Sequence, residues 1–295
     1  MAKRKARKTS IVTVTNKKGG VGKSTTVCNL AAVYAQTGKK ILVIDLDHQS
    51  NATQFFEAED QSKRECKNIS EAFRKDLPLK QVILQTNHEG VSIVAGSDAL
   101  EEETEKWNSH PKRFKLLEVL FNCDSLSVFD IVLIDTHPTF DCYLQSALTS
   151  SHYYLIPVFP EMFSVRGLGK MISRVESLKQ YQNETLCFLG CLLAKYDKAN
   201  KTHLEMQSQV REIGKKSGFN IFKTVIPVSK AVSGAEASKL PLNLYKPDIP
   251  ISIAYSTLAG EILPQLSGKR TGRPKVQKLP SEIFGNMDIE EAAEF

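Results

Sequence analysis

The chain has 295 residues, 41% hydrophobic and 24% charged, with a formal net charge of +6. That length and balance suit one large α/β domain or two small ones, with a core that needs neither disulfides nor metals. No apolar run reaches about 18 residues, so a membrane span is excluded, and the modest positive charge permits a polyanionic partner without demanding one.

The first residues are basic, with Lys3, Arg4, Lys5, Arg7 and Lys8 and no acid among them. They run into only a short strand-like stretch, too short for the apolar core of a signal peptide, so none is expected. Ser10–Thr15 is β-branched and predicts a strand that ends at a glycine loop; Ser24–Gln36 has helical spacing and stops at Gly38. Lys40–Asp45 is a short apolar run of the kind buried in parallel sheets. Residues 51–80 are polar, with a short helix predicted near Ser70–Lys75. Gly90–Ala95 predicts a strand, and Leu100–Cys123 two helical stretches broken at Asn108–Pro111.

Phe129–Asp135 is the clearest buried strand. A helix near Asp141–Ser150, a strand at Tyr153–Val158 and a helix through Met171–Tyr181 follow. Then come a strand at Leu186–Leu193, a helix near His203–Lys216, a short strand at Thr224–Ile226 and a long helix at Ile251–Leu266. This alternation predicts an α/β fold, a mostly parallel twisted sheet with helices on both faces. Ligands of such sheets sit at the carboxyl ends of the strands.

The expected organisation is a basic arm at 1–9, an α/β domain at 10–266 and a flexible tail at 267–295. The tail is first basic (Lys269, Arg270, Arg273, Lys275, Lys278), then acidic (Glu282, Asp288, Glu290, Glu291, Glu294). Both basic ends read either as solvated termini or as nucleic-acid contacts. Cys28, Cys66, Cys123, Cys142, Cys187 and Cys191 form no CxxC pair and read as reduced thiols of a cytosolic protein.

The chemistry concentrates at strand ends. Lys18-Gly19-Gly20-Val21-Gly22-Lys23-Ser24-Thr25 lies between a strand and a helix. Backbone N–H groups can curl around phosphate oxygens only where side chains leave room, and the following helix presents its N-terminus to the same charge. Lys23 is placed to neutralise the β- and γ-phosphates of ATP, and Ser24 to coordinate Mg²⁺. Asp45 and Asp47 end the second strand, two residues apart and so on one side of it. Near a phosphate loop such acids can hold Mg²⁺, directly or through water, or orient an attacking water. Asp135 ends an apolar strand, the Walker B arrangement. His48 and His137 follow the two acidic ends. They could form a metal or acid–base pair, but ordinary loop substitution is the better reading.

KGGVGKST resembles the deviant Walker A motif of the ParA/MinD family of ATPases, with Lys17 where the general motif has its first glycine. Asp45-Leu46-Asp47-His48-Gln49 resembles that family's DxDPQ, and Asp135-Thr136-His137-Pro138 its DTPP, each with histidine in place of a proline. Further likenesses are Asn51-Ala52-Thr53, Pro157 to Gly167 with Pro160, Glu161 and Ser164, Tyr196-Asp197, Ile226-Pro227, and Ser233 with Ala235. The resemblance covers about residues 10–266.

The resemblance implies an ATP hydrolase, Mg²⁺-dependent and weakly active alone, that forms a sandwich homodimer around ATP. Lys18 then reaches the phosphates held by the other subunit. Asp47 positions the hydrolytic water, and Ser24, Asp45 and Asp135 serve the metal. It further implies a partition protein for plasmid or chromosome, cytoplasmic and nucleoid-associated. Such a protein binds DNA without sequence preference and is released when a ParB-like protein stimulates hydrolysis. Lys195, Lys198, Lys201, Lys223, Lys230 and Lys239 are the available DNA contacts, although Ala199 and Ala231 stand where many members have arginine.

The alternative is a MinD-like membrane-cycling ATPase for division or protein positioning. That reading needs a basic amphipathic C-terminal helix, and this chain ends in an acidic segment with Pro280 and Gly285, so no membrane partner is expected. An iron–sulfur reductase of the same fold would need paired cysteines after the Walker segments, a tyrosine kinase a terminal tyrosine cluster, and a GTPase an NKxD; none is present.

Overall fold

A computed structural model describes residues 9–56, 68–110, 124–161 and 164–267. The basic run before Thr9, the second helical stretch expected within Leu100–Cys123, Cys66, Cys123 and the charged tail lie outside those residues.

The sheet is built from β1 (Ser10–Val14), β2 (Ile41–Leu46), β3 (Ile83–Gln85), β4 (Val91–Val94), β5 (Ile131–Thr136), β6 (Tyr153–Val158) and β7 (Cys187–Leu193), in the order β3-β4-β2-β5-β1-β6-β7. Every pairing is parallel except that of β3, which closes one edge antiparallel to β4. Sequence periodicity did not indicate β3, because three half-exposed residues carry too short a pattern.

Alternation along the strands divides the core. Ile41, Val43, Ile131 and Leu133 pack on one face with α1 (Lys23–Gln36) and α10 (Pro250–Ser267). Leu42, Ile44, Val132 and Ile134 point the other way. They meet α3 (Ile69–Lys75), α4 (Ala99–Asn108) and α5 (Cys142–Ser150) through Phe73, Leu100, Trp107 and Tyr143. Farther along that face, Tyr154, Ile156 and Val158 pack with α6 (Ser164–Gln182) and α7 (Lys201–Ser217). Successive side chains of a strand point to opposite faces, so a strand buried on both reads as an unbroken apolar run.

Three short helices complete the described fold: α2 (Asn51–Phe56), α8 (Ala231–Ala237) and α9 (Leu242–Tyr245). The Asn68, Asp141 and Asn200 side chains cap α3, α5 and α7 by accepting from backbone N–H groups of the first turn.

The strand expected at Thr224–Ile226 does not form. The segment runs beside β7 and its continuation but forms no continuous ladder: single bridges join Cys191 with Ile221 and Tyr196 with Pro227, and Ile226 N donates to the Leu193 carbonyl at 2.8 Å. The reason is local competition for donors. The Glu261 carboxylate accepts from the backbone N–H of Lys223 at 2.7 Å and of Thr224 at 3.2 Å, removing them from the ladder.

Candidate nucleotide and hydrolysis site

Strand order creates the site. β2, β5 and β1 are neighbours, and their register sets Asp45 beside Asp135 and Asp135 beside Val14. The glycine loop leaves the end of β1, so loop and both acidic ends meet at one edge of the sheet. The loop turns through left-handed backbone at Gly20 (φ 70°) and Gly22 (φ 87°), and Gly22 caps α1. A β-carbon at either would be strained. Its base is tied down: Asn16 donates to the Pro157 carbonyl at 2.6 Å and accepts from Lys18 N at 3.0 Å.

Lys23 opens α1 and is only 6% exposed. Burial works against its charge and lowers its pKa, while Asp135 and Asp47 favour the charged form. Asp135 is fully buried. Burial and the neighbouring charges of Asp45 and Asp47 push its pKa well up, opposed by the Ser24 hydroxyl and Lys23. Its Oδ1 accepts from Thr136 N, but Oδ2 is buried with no hydrogen-bond partner. A buried, unpaired carboxylate oxygen costs free energy unless a cation or donor meets it.

Asp45 is arranged differently. Its Oδ1 accepts from Asp47 N at 3.1 Å, and its Oδ2 from Thr53 N at 2.9 Å and Thr53 Oγ1 at 2.7 Å. Burial nevertheless pushes its pKa up to about 6, with these bonds pulling down and the Asp47 charge pushing up. Asp45 thus organises the turn after β2 and the start of α2. Asp47, 6% exposed, holds the same turn by accepting from Gln49 N at 2.9 Å.

Sequence reasoning passed over Gly96. Its N–H donates to Thr53 Oγ1 at 2.9 Å, and a β-carbon there would lie 2.8 Å from Ser50 Oγ and 3.0 Å from both Asp45 Cγ and the Asp47 carbonyl oxygen. The segment after β4 is therefore pressed against the acidic turn. Nothing in the local sequence marks this, because the contact joins β2 to β4.

Lys18 is half-exposed. Its Nζ pairs with the Glu161 carboxylate of the same chain and lies 5.5 Å from the Phe159 ring centroid. His48 and His137 come together, with ring centroids 5.5 Å apart edge to face.

Of the lysines, Lys195, Lys198, Lys201, Lys223 and Lys230 are exposed. The bridge between Tyr196 and Pro227 puts the loops bearing Lys195, Lys198 and Lys230 side by side at the carboxyl edge. Lys223 lies farther back, beside Glu261. Lys239 is half-buried and donates to the Gln54 carbonyl at 2.7 Å, in a pocket between α1, α2 and α8.

Among the described residues no three His, Cys, Asp or Glu side chains form a metal cage. Mg²⁺ in phosphate sites keeps several waters and takes only one or two protein carboxylates. The unpartnered Oδ2 of Asp135 beside Ser24 fits that demand.

Comparison with known proteins gives the same outline. The AAA domain family model matches residues 9–188. The sporulation initiation inhibitor protein Soj of Bacillus subtilis is 30% identical over 253 residues, which is 85% of this chain and 97% of that protein. The chromosome partitioning protein ParA of Caulobacter vibrioides is 26% identical, over 86% of this chain and 93% of that protein. A putative plasmid partition protein of Borrelia burgdorferi, solved with AMPPNP bound, superposes with a TM-score of 0.70 at 23% identity, over 87% of this chain and 98% of that one. With partition ATPases matching it nearly end to end and its own glycine loop and acidic strand ends adjoining in space, this chain belongs to the ParA/MinD family of P-loop ATPases.

Proposed function

We propose that this protein is a partition ATPase: it binds Mg²⁺–ATP at the Lys18–Thr25 loop, dimerises around it, grips DNA, and lets go on hydrolysis. The observation that carries the nucleotide reading is the meeting of a glycine loop, a buried Lys23 and an unpartnered Asp135 oxygen at the adjoining ends of β1 and β5.

The loop N–H groups and the N-terminus of α1 receive the phosphates. Lys23 balances their charge. Ser24 and Asp135 hold Mg²⁺, with Asp45 acting from behind through Thr53 and the acidic turn. When bound, Mg²⁺ neutralises the phosphate oxygens on which charge develops during transfer. Asp47 orients the attacking water. Lys18 leaves Glu161 and reaches the phosphates of a second copy, adding positive charge where the transition state needs it. That Lys18 is half-exposed and held by a surface ion pair and the Phe159 ring supports this exchange, since surface ion pairs contribute little.

The exposed lysines on the adjoining 195–201 and 226–230 loops support contact with DNA phosphates, and Lys223 and Lys239 extend the same reading to their own positions. The name of one relative, chromosome partitioning protein ParA, supports a partition role; a ParB-like stimulator and a cytoplasmic, nucleoid-bound location belong to the same reading.

The deciding experiment measures binding to plasmid DNA and to anionic liposomes with ATP and with ADP. Partition predicts ATP-dependent DNA binding that weakens steeply with salt, as phosphate contacts do. ATP-dependent liposome binding without DNA binding would overturn it in favour of a MinD-like membrane cycle.

A further inference from the structure

The two histidines next to the acidic strand ends are joined in space and belong to a larger arrangement. His137 is 7% exposed, and its Nε2 lies 2.8 Å from Asp141 Oδ2. Asp141, itself 4% exposed, is the N-cap of α5, and its Oδ1 accepts from Tyr143 N and Leu144 N. One carboxylate thus fixes the start of a helix with one oxygen and holds the other at ion-pair distance from the imidazole, without the alignment of a hydrogen bond. The imidazole also packs edge to face with His48, 5.5 Å between centroids. His48 follows Asp47 directly in the turn after β2, and its Nε2 is 4.0 Å from Glu101 on α4.

We propose that His137 is a positioning residue of the hydrolytic site: anchored by Asp141 and packed against His48, it sets the turn carrying Asp47 against the turn that follows Asp135. The proposal rests on the ATPase reading above.

The physical argument concerns freedom of the Asp47 turn. Within its own strand that turn is held by short-range bonds, Gln49 N to Asp47 and Asp47 N to Asp45. Those bonds shape the turn, and the β2–β5 ladder ends at Leu46 and Thr136, so neither ties Asp47 itself to the segment after β5. Among the described residues, the contacts that cross to neighbouring segments include Gly96 and Glu101 on one side and the His48–His137 pair on the other. A buried imidazole clamped to a helix cap is a stiff support, since its side chain has only two torsions and both are constrained. The charges of Asp47 and Lys23 act on His137, which places the ring close to the groups that handle the phosphates.

Two substitutions separate positioning from bulk packing. His137→Phe keeps a ring against His48 and loses the ion pair with Asp141. Asp141→Asn keeps an oxygen for the helix cap but turns an NH₂ toward Nε2. Steady-state ATP hydrolysis and binding of a fluorescent ATP analogue are measured on each, on His48→Ala, on the His48→Ala/His137→Phe pair and on Lys23→Ala. The expected result for the His48, His137 and Asp141 variants is kcat lowered on the order of 10- to 100-fold, the scale of a misplaced catalytic group, with analogue affinity within about twofold of wild type. The pair is expected to be no worse than the worse single variant, as residues acting as one support are not additive. Wild-type kcat in both His137→Phe and Asp141→Asn overturns the proposal, as does a parallel loss of affinity and kcat, which marks a packing role only. Equal, background hydrolysis in wild type and Lys23→Ala overturns the ATPase reading itself, and the proposal with it.

Discussion

Thr53→Val removes one hydroxyl and keeps the shape of the side chain, and the structure states what that hydroxyl does. It donates to Asp45 Oδ2 at 2.7 Å and accepts from Gly96 N at 2.9 Å, so one atom links the second strand end to the segment after β4. A hydrogen bond to a charged group contributes about 1.5–3 kcal/mol. The stranded Gly96 N–H adds about 1 kcal/mol, at the low end because the site is part-buried and water can reach it. The expected loss is therefore about 3 kcal/mol at pH 8, read as a lower urea midpoint with unchanged slope.

The pH dependence carries a second test. The folded pKa of Asp45 is pushed up to about 6, above its unfolded value, so its contribution favours the fold below the unfolded pKa and is lost as pH rises through about 6. The Thr53 hydroxyl bonds the charged form and moderates that loss. Removing it raises the pKa further. The Thr53→Val deficit should then be small at pH 4–5, where Asp45 is protonated in both proteins, and grow toward pH 8. Thr53→Ser, which keeps the hydroxyl, should show no such growth. A deficit that is the same at pH 5 and pH 8, or below about 0.5 kcal/mol throughout, would refute this account of Asp45.

Gly96→Ala places a β-carbon 2.8 Å from Ser50 Oγ and 3.0 Å from Asp45 Cγ, and overpacking of this kind costs about 1–3 kcal/mol; thermal melts should show the loss, and hydrolysis should fall because the Asp47 turn is displaced. Asp47→Ala should accumulate an ATP-bound dimer with little turnover, followed by sedimentation and phosphate release, and wild-type turnover would remove Asp47 from the water-orienting role. Glu161→Gln removes the partner of Lys18 in its own chain, so sedimentation with ATP should find a larger dimer fraction than wild type at equal concentration, while Lys18→Ala should find less.

Much of the site could be read along the chain. The glycine spacing from Lys18 to Thr25 and the acids closing two apolar runs are local patterns, and each needs only its own segment to be recognised. The central parallel strands were legible for a related reason: burial on both faces makes them continuous apolar runs. Elements without such a pattern were not. β3 is too short, and α2 begins in polar residues whose conformation is set by Thr53 bonding to Asp45. The segment at Thr224–Ile226 had the composition of a strand, but a carboxylate from α10 took the N–H groups of Lys223 and Thr224 at its start.

What the amino-acid order determined by itself was a phosphate loop followed by two acidic strand ends, and through them the family. What only the tertiary structure decided was how those pieces share work. The register of β2, β5 and β1 left Asp135 with an open oxygen while Asp45 spent both of its oxygens on the neighbouring turn. It also brought Gly96 against Asp45, Lys18 onto Glu161, and His48 onto His137. Each of those contacts joins residues 51 to 143 positions apart. Local propensity and periodicity act within a strand or a turn of helix, so they carry no information about which distant segment will lie alongside.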